Sequence, residues 1–449
     1  MARSLFLLSV AMMSFTATRV FGIPLGLAMS VVATSAVVGS NLLRATTASK
    51  NETIRQMLAW HPWWISAVLI LAGGLLSATN AMNVANHLRE MLQATWTLSI
   101  AASITMYAAR KWRASVLHAL LLGVCVDSLI TIWDGLSRMG LGPLIAGLSV
   151  GKGGFATPSG FNPASELFTG RYEGVMTHPN ELGEITAVCF PIALAFFLEA
   201  IARKRILIAT IFILFAASML WANLLSGSVS GFLGIGLAAG CVLFGWFCQR
   251  VSYQRLSMLA LGLSVAVLAL LLVSIIGNGK ALVSAVGTWI TPSLNRALDI
   301  SGPLRVGLNR RALALALASP ISGYGMDIES LHAGLTETYV VHNAFLRSWL
   351  GGGIFALLAS LWAYFCAARL SLESMVGFFR RKATLLEFAL ASSIVGWVAI
   401  DMTSPTSFLS YTMITAFFLY GVREKTRRSH LGDAAAKPIR WPESQQGYS

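Results

Sequence analysis

The chain has 449 residues, of which 56% are hydrophobic and only 12% charged, about half the charge of an ordinary soluble domain. Such a composition excludes a water-soluble enzyme or binding module, and the formal net charge of +14 has to be read against it. The cations stand in short clusters between apolar runs, "RKWR" at 110–113, "RKR" at 203–205, "RRK" at 380–382 and "REKTRR" from 423. This is the positive-inside pattern of an inner or plasma membrane protein, and no nucleic acid is expected as a partner.

Runs such as "SAVLILAGGLL" and "MLALGLSVAVLALLLVSII" approach or exceed the ~20 apolar residues that cross a bilayer. In chain order, spans are predicted near 4–18, 21–39, 62–80, 92–109, 115–133, 183–202, 206–222, 228–248, 256–276, 343–367, 385–401 and 406–421. The first is read as retained, because no small-x-small cleavage site follows it. The fold class is therefore all-α: a polytopic integral membrane bundle of about 12 transmembrane helices, with both termini cytoplasmic. It forms one domain over 1–421, with long extracytoplasmic loops at about 134–182 and 277–342 that hold short helices. Residues 422–449 are polar enough to form a disordered cytoplasmic tail.

Smaller features have structural readings. "HPWW" at 61–64 reads as aromatic anchoring at the headgroup level. Glycine-rich "SGFLGIGLAAG" at 230–240 suits close helix packing. The five cysteines lie in or beside predicted spans without CxxC spacing, so apolar packing is expected and not a disulfide framework.

Three polar stretches converge on the outer face. In "GRYEGVMTHPNELGEI" (170–185), Asn180 is a candidate N-cap with Glu181 and Glu184 in the first turn; capping does not need Arg171 or His178. In "PLRVGLNRRALALALASPISGYG" (303–325), Leu304, Leu308 and Leu315 share one helical face and Arg305 and Asn309 another. Arg310 and Arg311 follow, Pro320 stops the helix, and Gly323 and Gly325 permit a turn. In "TETYVVHNAFLRSWLGGGIF" (336–355), His342 and Asn343 head a helix whose amides favour an anion, and Arg347 lies one turn on. Arginines near a lipid boundary are costly, and phosphate suits their planar donors. A neutral imidazole among them can accept a proton. His178, Glu181, Glu184, His332 and His342 lack metal-ligand spacing, so no metal and no cofactor is expected.

These stretches resemble the O-antigen ligase and polymerase superfamily of bacterial membrane glycosyltransferases. Arg171, Gly174 and His178-Pro179-Asn180 look like its "R-x-x-G-x-x-x-HPN" motif. "SGSVSGFLG" is similar to its serine-arginine-glycine helix start at Ser228 and Gly231. Arg305 with Pro320, Gly323 and Gly325 reproduces an arginine followed fifteen residues later by "P-x-x-G-x-G". His342, Asn343, Leu346 and Gly353 resemble its "HN-x-x-L" span start. Two departures stand out: Val229 where an arginine is usual, and Asn309 where an aromatic often follows.

The resemblance implies a multi-pass protein of the bacterial inner membrane that assembles surface polysaccharide or exopolysaccharide. It would transfer a glycan from an undecaprenyl-pyrophosphate donor to a sugar hydroxyl, with inversion and without metal. His342 would be the catalytic base. Arg171, His178, Asn180, Arg305, Arg310, Arg311, Asn343 and Arg347 would bind substrate. The implied partners are the lipid-linked glycan, its sugar acceptor, the bilayer and other polysaccharide assembly proteins. A repeat-unit polymerase is favoured, with a ligase acting on lipid A core or another acceptor as the alternative. Transport of polysaccharide or lipid-linked glycan is weaker, since the polar groups gather in outer loops and not at the midplane.

Overall fold

A computed structural model describes residues 2–11, 19–20, 23–24, 61–138, 179–250, 302–327, 330–331, 341, 343–402 and 413–424. The predicted spans 21–39 and 256–276 fall largely or wholly outside these residues, as do most of both long loops. What is described is helical apart from a two-residue antiparallel pairing of Arg19–Val20 with Ile23–Pro24. Among the described residues, six helices are long and apolar enough to cross a membrane.

The helices are α1 (Ala2–Ala11), α2 (Trp63–Ser77), α3 (Val84–Trp96), α4 (Ala102–Arg138), α5 (Pro179–Ala202), α6 (Ile206–Ser226), α7 (Val229–Arg250), α8 (Gly302–Ala318), α9 (Ala344–Phe379) and α10 (Leu385–Asp401). A last helix, α11, covers 414–424. Asn83 caps α3 by accepting from the Asn86 amide at 3.1 Å, so this helix starts eight residues before the predicted span at 92. A π turn, Thr97–Ala101, joins it to α4.

The predicted loop between spans 92–109 and 115–133 is instead one residue, Trp112, at φ −132° and ψ 31°. The helical run Val84–Trp133 counts 50 residues, about 75 Å of rise against a ~30 Å hydrocarbon core, so the break divides it into two passes. Their partners differ. Before the break, Ser103 meets His61 at 3.0 Å and Arg110 pairs with Glu424 at 2.6 Å. After it, Ser115 accepts from Arg3 at 2.6 Å and Cys125 lies 3.6 Å from Ser218.

The basic clusters share one end of the bundle. Beside the Arg110–Glu424 pair, Arg113 donates to Thr384 at 3.1 Å and Arg423 pairs with Glu373 at 2.9 Å. These contacts and buried Val422 carry α11 to 424, past the boundary at 421 where the tail was expected to begin.

In the "HPWW" stretch Trp63 is packed inside the bundle and is not the exposed anchor that the sequence reading expects. Trp63 is fully buried, with its ring 5.1 Å from Phe417 and 5.6 Å from Tyr420. His61 is buried too. The apolar sequence cannot separate a Trp at a helix start from one inside a bundle, because the two differ only in which neighbour arrives. The glycine-rich segment packs as expected at two of its positions. A Cβ on Gly231 would meet Gly183 Cα at 2.7 Å, and one on Gly234 would meet the Ile400 side chain at 2.5 Å; Gly236 and Gly240 face open space.

Candidate functional site

The third polar stretch opens α9, and α9 is not the straight span predicted for 343–367. Ser348 and Ser360 hydroxyls lie 2.6 Å apart, and the Phe345 and Tyr364 rings lie 5.2 Å apart. Twelve and nineteen residues of straight helix would separate those pairs by about 18 and 28 Å. The chain therefore folds back at Gly352 and Gly353, where Gly353 takes φ +65° and ψ −160°, a region open in practice only to glycine. Residues 344–351 form a short arm antiparallel to the long arm that follows.

A helix broken this way leaves carbonyls and amides to satisfy, and the turn after α8 supplies the partners. The Tyr324 amide donates to the Leu350 carbonyl at 2.8 Å and the Gly325 amide to the Gly351 carbonyl at 2.9 Å. In return the Ile354 amide donates to the Pro320 carbonyl at 2.9 Å, joined by the Trp349 indole at 3.1 Å. Gly323 and Gly325 have positive φ, and a Cβ on Gly323 would stand 2.6 Å from the Gly353 nitrogen. The "P-x-x-G-x-G" spacing and the glycine after "HN-x-x-L" thus form one welded unit.

The far side of that turn is latched to the α2–α3 junction. Asn80 Nδ2 donates to the Gly323 carbonyl at 2.8 Å, and the Met82 amide donates to Ser330 Oγ at 2.8 Å. Asp327 accepts from the Ser330 amide at 2.9 Å. His87 is fully buried; its Nδ1 accepts from the Met326 amide and its Nε2 donates to the Gly74 carbonyl, each at 2.8 Å. This histidine is structural, and the sequence did not single it out.

Helix α8 packs on the short arm in a cluster of Leu308, Ala312 and Leu350, which Leu331 and Val341 join. Leu308 faces inward as its spacing predicts, with Leu315 packed beside it. Arg310 and Arg311 are exposed on the other side. Arg305 belongs to α8, and the position of its side chain lies outside the description. So do Arg171, His178 and His342, as well as the side chain of Val229.

Asn343 caps the short arm, its Oδ1 accepting from the Phe345 and Leu346 amides at 3.0 Å each. One turn on, Arg347 is buried within the fields of Glu90, Asp401 and Glu181, in that order. The head of α5 supplies Glu181, with Asn180 and Glu184 also buried. Asn180 is not the cap that was expected. The helix begins one residue earlier, at Pro179, because proline suits the first helical position, where no amide is needed.

The end of α10 completes the cluster. Asp401 accepts the Tyr364 hydroxyl proton, and the Tyr364 ring stacks on Trp397 at 5.1 Å. Glu184 acts electrostatically on both Asp401 and Tyr364. Helices α3, α5, α9 and α10 thus bring four carboxylates (Glu90, Glu181, Glu184 and Asp401), a guanidinium and a phenol into one electrostatic neighbourhood. A charge of either sign buried alone would be strongly unfavourable; mixed signs and hydrogen bonds make the group tenable. Sequence reasoning missed Asp401 and Tyr364. The signal for Asp401 was present, a lone carboxylate closing the apolar run "IVGWVAID".

The serine-rich helix start builds the neighbouring corner. Gly227 ends α6 in the left-handed conformation, and Ser228 Oγ accepts from the Gly231 amide at 3.2 Å. Asn223 Nδ2 donates to Thr186 Oγ1 at 3.0 Å. Together these hold α5, α6 and α7 at close approach beside the carboxylate cluster.

A search among curated proteins finds no match for the chain. Residues 214–361, from within α6 through the α8 turn and both arms at the head of α9, match the profile of the O-antigen ligase family. Over that third of the chain the sequence is similar to the O-antigen ligase family.

Proposed function

We propose that the protein transfers a glycan from an undecaprenyl-pyrophosphate donor to a sugar hydroxyl at the outer face of the bacterial inner membrane, most readily as a repeat-unit polymerase. The basic end of the bundle faces the cytoplasm in this reading, and the welded turn with its carboxylate cluster faces out. The observation that supports it best is that weld. Family-like motifs far apart in the chain meet as one rigid unit at the head of the helix that follows His342.

In the proposed reaction His342 takes the proton of the attacking hydroxyl as its oxygen bonds to the anomeric carbon. The bond from that carbon to the pyrophosphate oxygen breaks on the opposite side, and the configuration inverts. The departing electron pair is carried by the pyrophosphate, whose charge Arg305 and Arg171 neutralise, with Arg310 or Arg311 extending the grip along α8. General-base help supplies roughly 10²–10⁴-fold, and positioning with charge neutralisation supplies the rest. The scheme calls for no metal and no nucleotide sugar.

Arg347 has a different part. Surrounded by Glu90, Asp401 and Glu181, it holds the short arm against α5 and α10 and so sets where Asn343 and its neighbour stand. His178 and Asn180, at the head of α5, are assigned to the acceptor side.

The test is to replace His342→Ala and Arg305→Ala separately, in protein that inserts at normal levels, and to follow surface polysaccharide. Loss in both is expected; unchanged polysaccharide in both would sink the reading. The glycan ladder of a deletion strain separates the finer alternatives. Single repeats on the carrier mark a polymerase, and long unattached lipid-linked chains mark a ligase.

A further inference from the structure

At the basic end, away from the carboxylate cluster, α4, α5 and α6 enclose a groove of about 610 Å³, within the ~300–1,000 Å³ of ordinary small-molecule sites. Its walls are hydrocarbon and aromatic, including Leu122, Phe196, Ile211, Phe212 and Phe215. Phe196 and Phe212 stack at 4.9 Å. Glu199, Arg203 and Arg205 stand along the same groove. Its form is an apolar trough closed at one end by cations.

We propose that this groove binds one anionic glycerophospholipid from the leaflet at the basic end, headgroup at the α5–α6 turn and acyl chain along the aromatic wall. Charge complementarity argues for that occupant. The turn is only three residues, and Lys204 adopts φ +57° to make it, which crowds three cations against one carboxylate. Glu199 accepts from Arg203 at 3.4 Å, with the arginine side chain 63% exposed. Arg205 has no ion pair among the described residues and heads α6, where the helix dipole adds to its charge. A zwitterionic lipid would bring its own cation into this field; an anionic one would not.

Depth argues the same way. His118 lies against Phe196 and Phe212, with ring centroids 5.2 and 6.0 Å away. It is five residues beyond Arg113, about 7.5 Å of helix rise from the basic end. That is the level of a lipid's glycerol and ester groups when its phosphate sits at the arginines. An imidazole there offers a polar contact to an ester where the rest of the wall offers none. Beyond it the outer face of α6 is apolar, with Ile208 and Ile211 both on the groove and partly open to lipid.

The test is native mass spectrometry of the full-length protein in detergent with equimolar phosphatidylglycerol and phosphatidylcholine. A cation near an anionic surface contributes about fivefold, so two arginines predict retention of phosphatidylglycerol about twenty-five-fold over phosphatidylcholine. Combined Arg203→Ala and Arg205→Ala replacement should bring that ratio near one without changing the elution volume. Ala114→Trp, which fills the groove and leaves its cations, should remove both lipids. Equal retention in the unaltered protein, or an unchanged ratio in the double variant, overturns the proposal. Displacement by inorganic phosphate alone would also overturn it, by placing recognition in the anion and not the lipid. So would a disulfide between a cysteine placed at Ile208 and a second one placed in the segment 251–301, which has none of its own, because it would show the chain filling its own groove.

Discussion

The chain reverses inside two runs of helix, at Trp112 and at Gly352–Gly353, and the two reversals are built differently. The first sits at the basic end, amid Arg110, Lys111 and Arg113, with Trp112 near Phe6 at 6.0 Å and Tyr107 at 6.4 Å. Headgroups and water can satisfy whatever backbone groups such a break exposes. The second has its freed amides and carbonyls filled by another stretch of protein. A reversal that water can heal tolerates imprecision, whereas one healed by backbone ties its neighbours to a fixed partner. The candidate site is attached to the second kind.

The sharpest way to break this contrast is Gly353→Ala. The new Cβ would stand 1.8 Å from the Ile321 carbonyl oxygen at a positive φ. Strain and overpacking together predict a loss of about 2–6 kcal/mol, read as a collapse of folded yield and of the melting temperature in detergent. An unchanged melting temperature would mean the weld is not rigid. Next comes Asp401→Asn, which keeps an acceptor for Tyr364 and removes a charge from the neighbourhood of Arg347. Stability should fall by about 3 kcal/mol and glycan transfer by about tenfold or more. Normal transfer by this variant would detach the cluster from function.

Asn343→Ala should cost about 1 kcal/mol through loss of the cap, with Asn343→Asp restoring most of it. Equal loss in both would point to a role beyond capping. The smallest effect is expected for Trp112→Leu, about 1 kcal/mol or less, with transfer within about twofold of the unaltered protein. A large loss of transfer there would erase the distinction between the two reversals.

The sequence reads well where a helix start carries a local signal. Leu385–Asp401 has the predicted bounds, because the Thr384–Glu387 capping box at its head is a local signal. The break at Trp112 falls between the predicted spans 92–109 and 115–133, whereas the reversal at Gly352–Gly353 escaped for a physical reason. "WLGGGIF" is apolar throughout, and an average over a window cannot see a change of direction. Three consecutive glycines were the only local hint, and their meaning depends on Pro320 and Tyr324, some thirty residues earlier. Arg347 and Asn343 were legible as polar groups at a boundary. The carboxylates around Arg347, namely Glu90, Asp401 and Glu181, were not legible as its partners, since each comes from a different part of the chain and no spacing links them. Aromatic Trp63 misled for the same reason, its burial being a property of Phe417 and Tyr420.

Because the α8 turn holds the reversed helix by main-chain groups, little of that grip depends on which side chains α8 shows to solvent. Substitutions on the exposed face of α8 can therefore change what that face touches while the scaffold beneath stays in register. A helix held this way can change its outward face without moving the helix it pins.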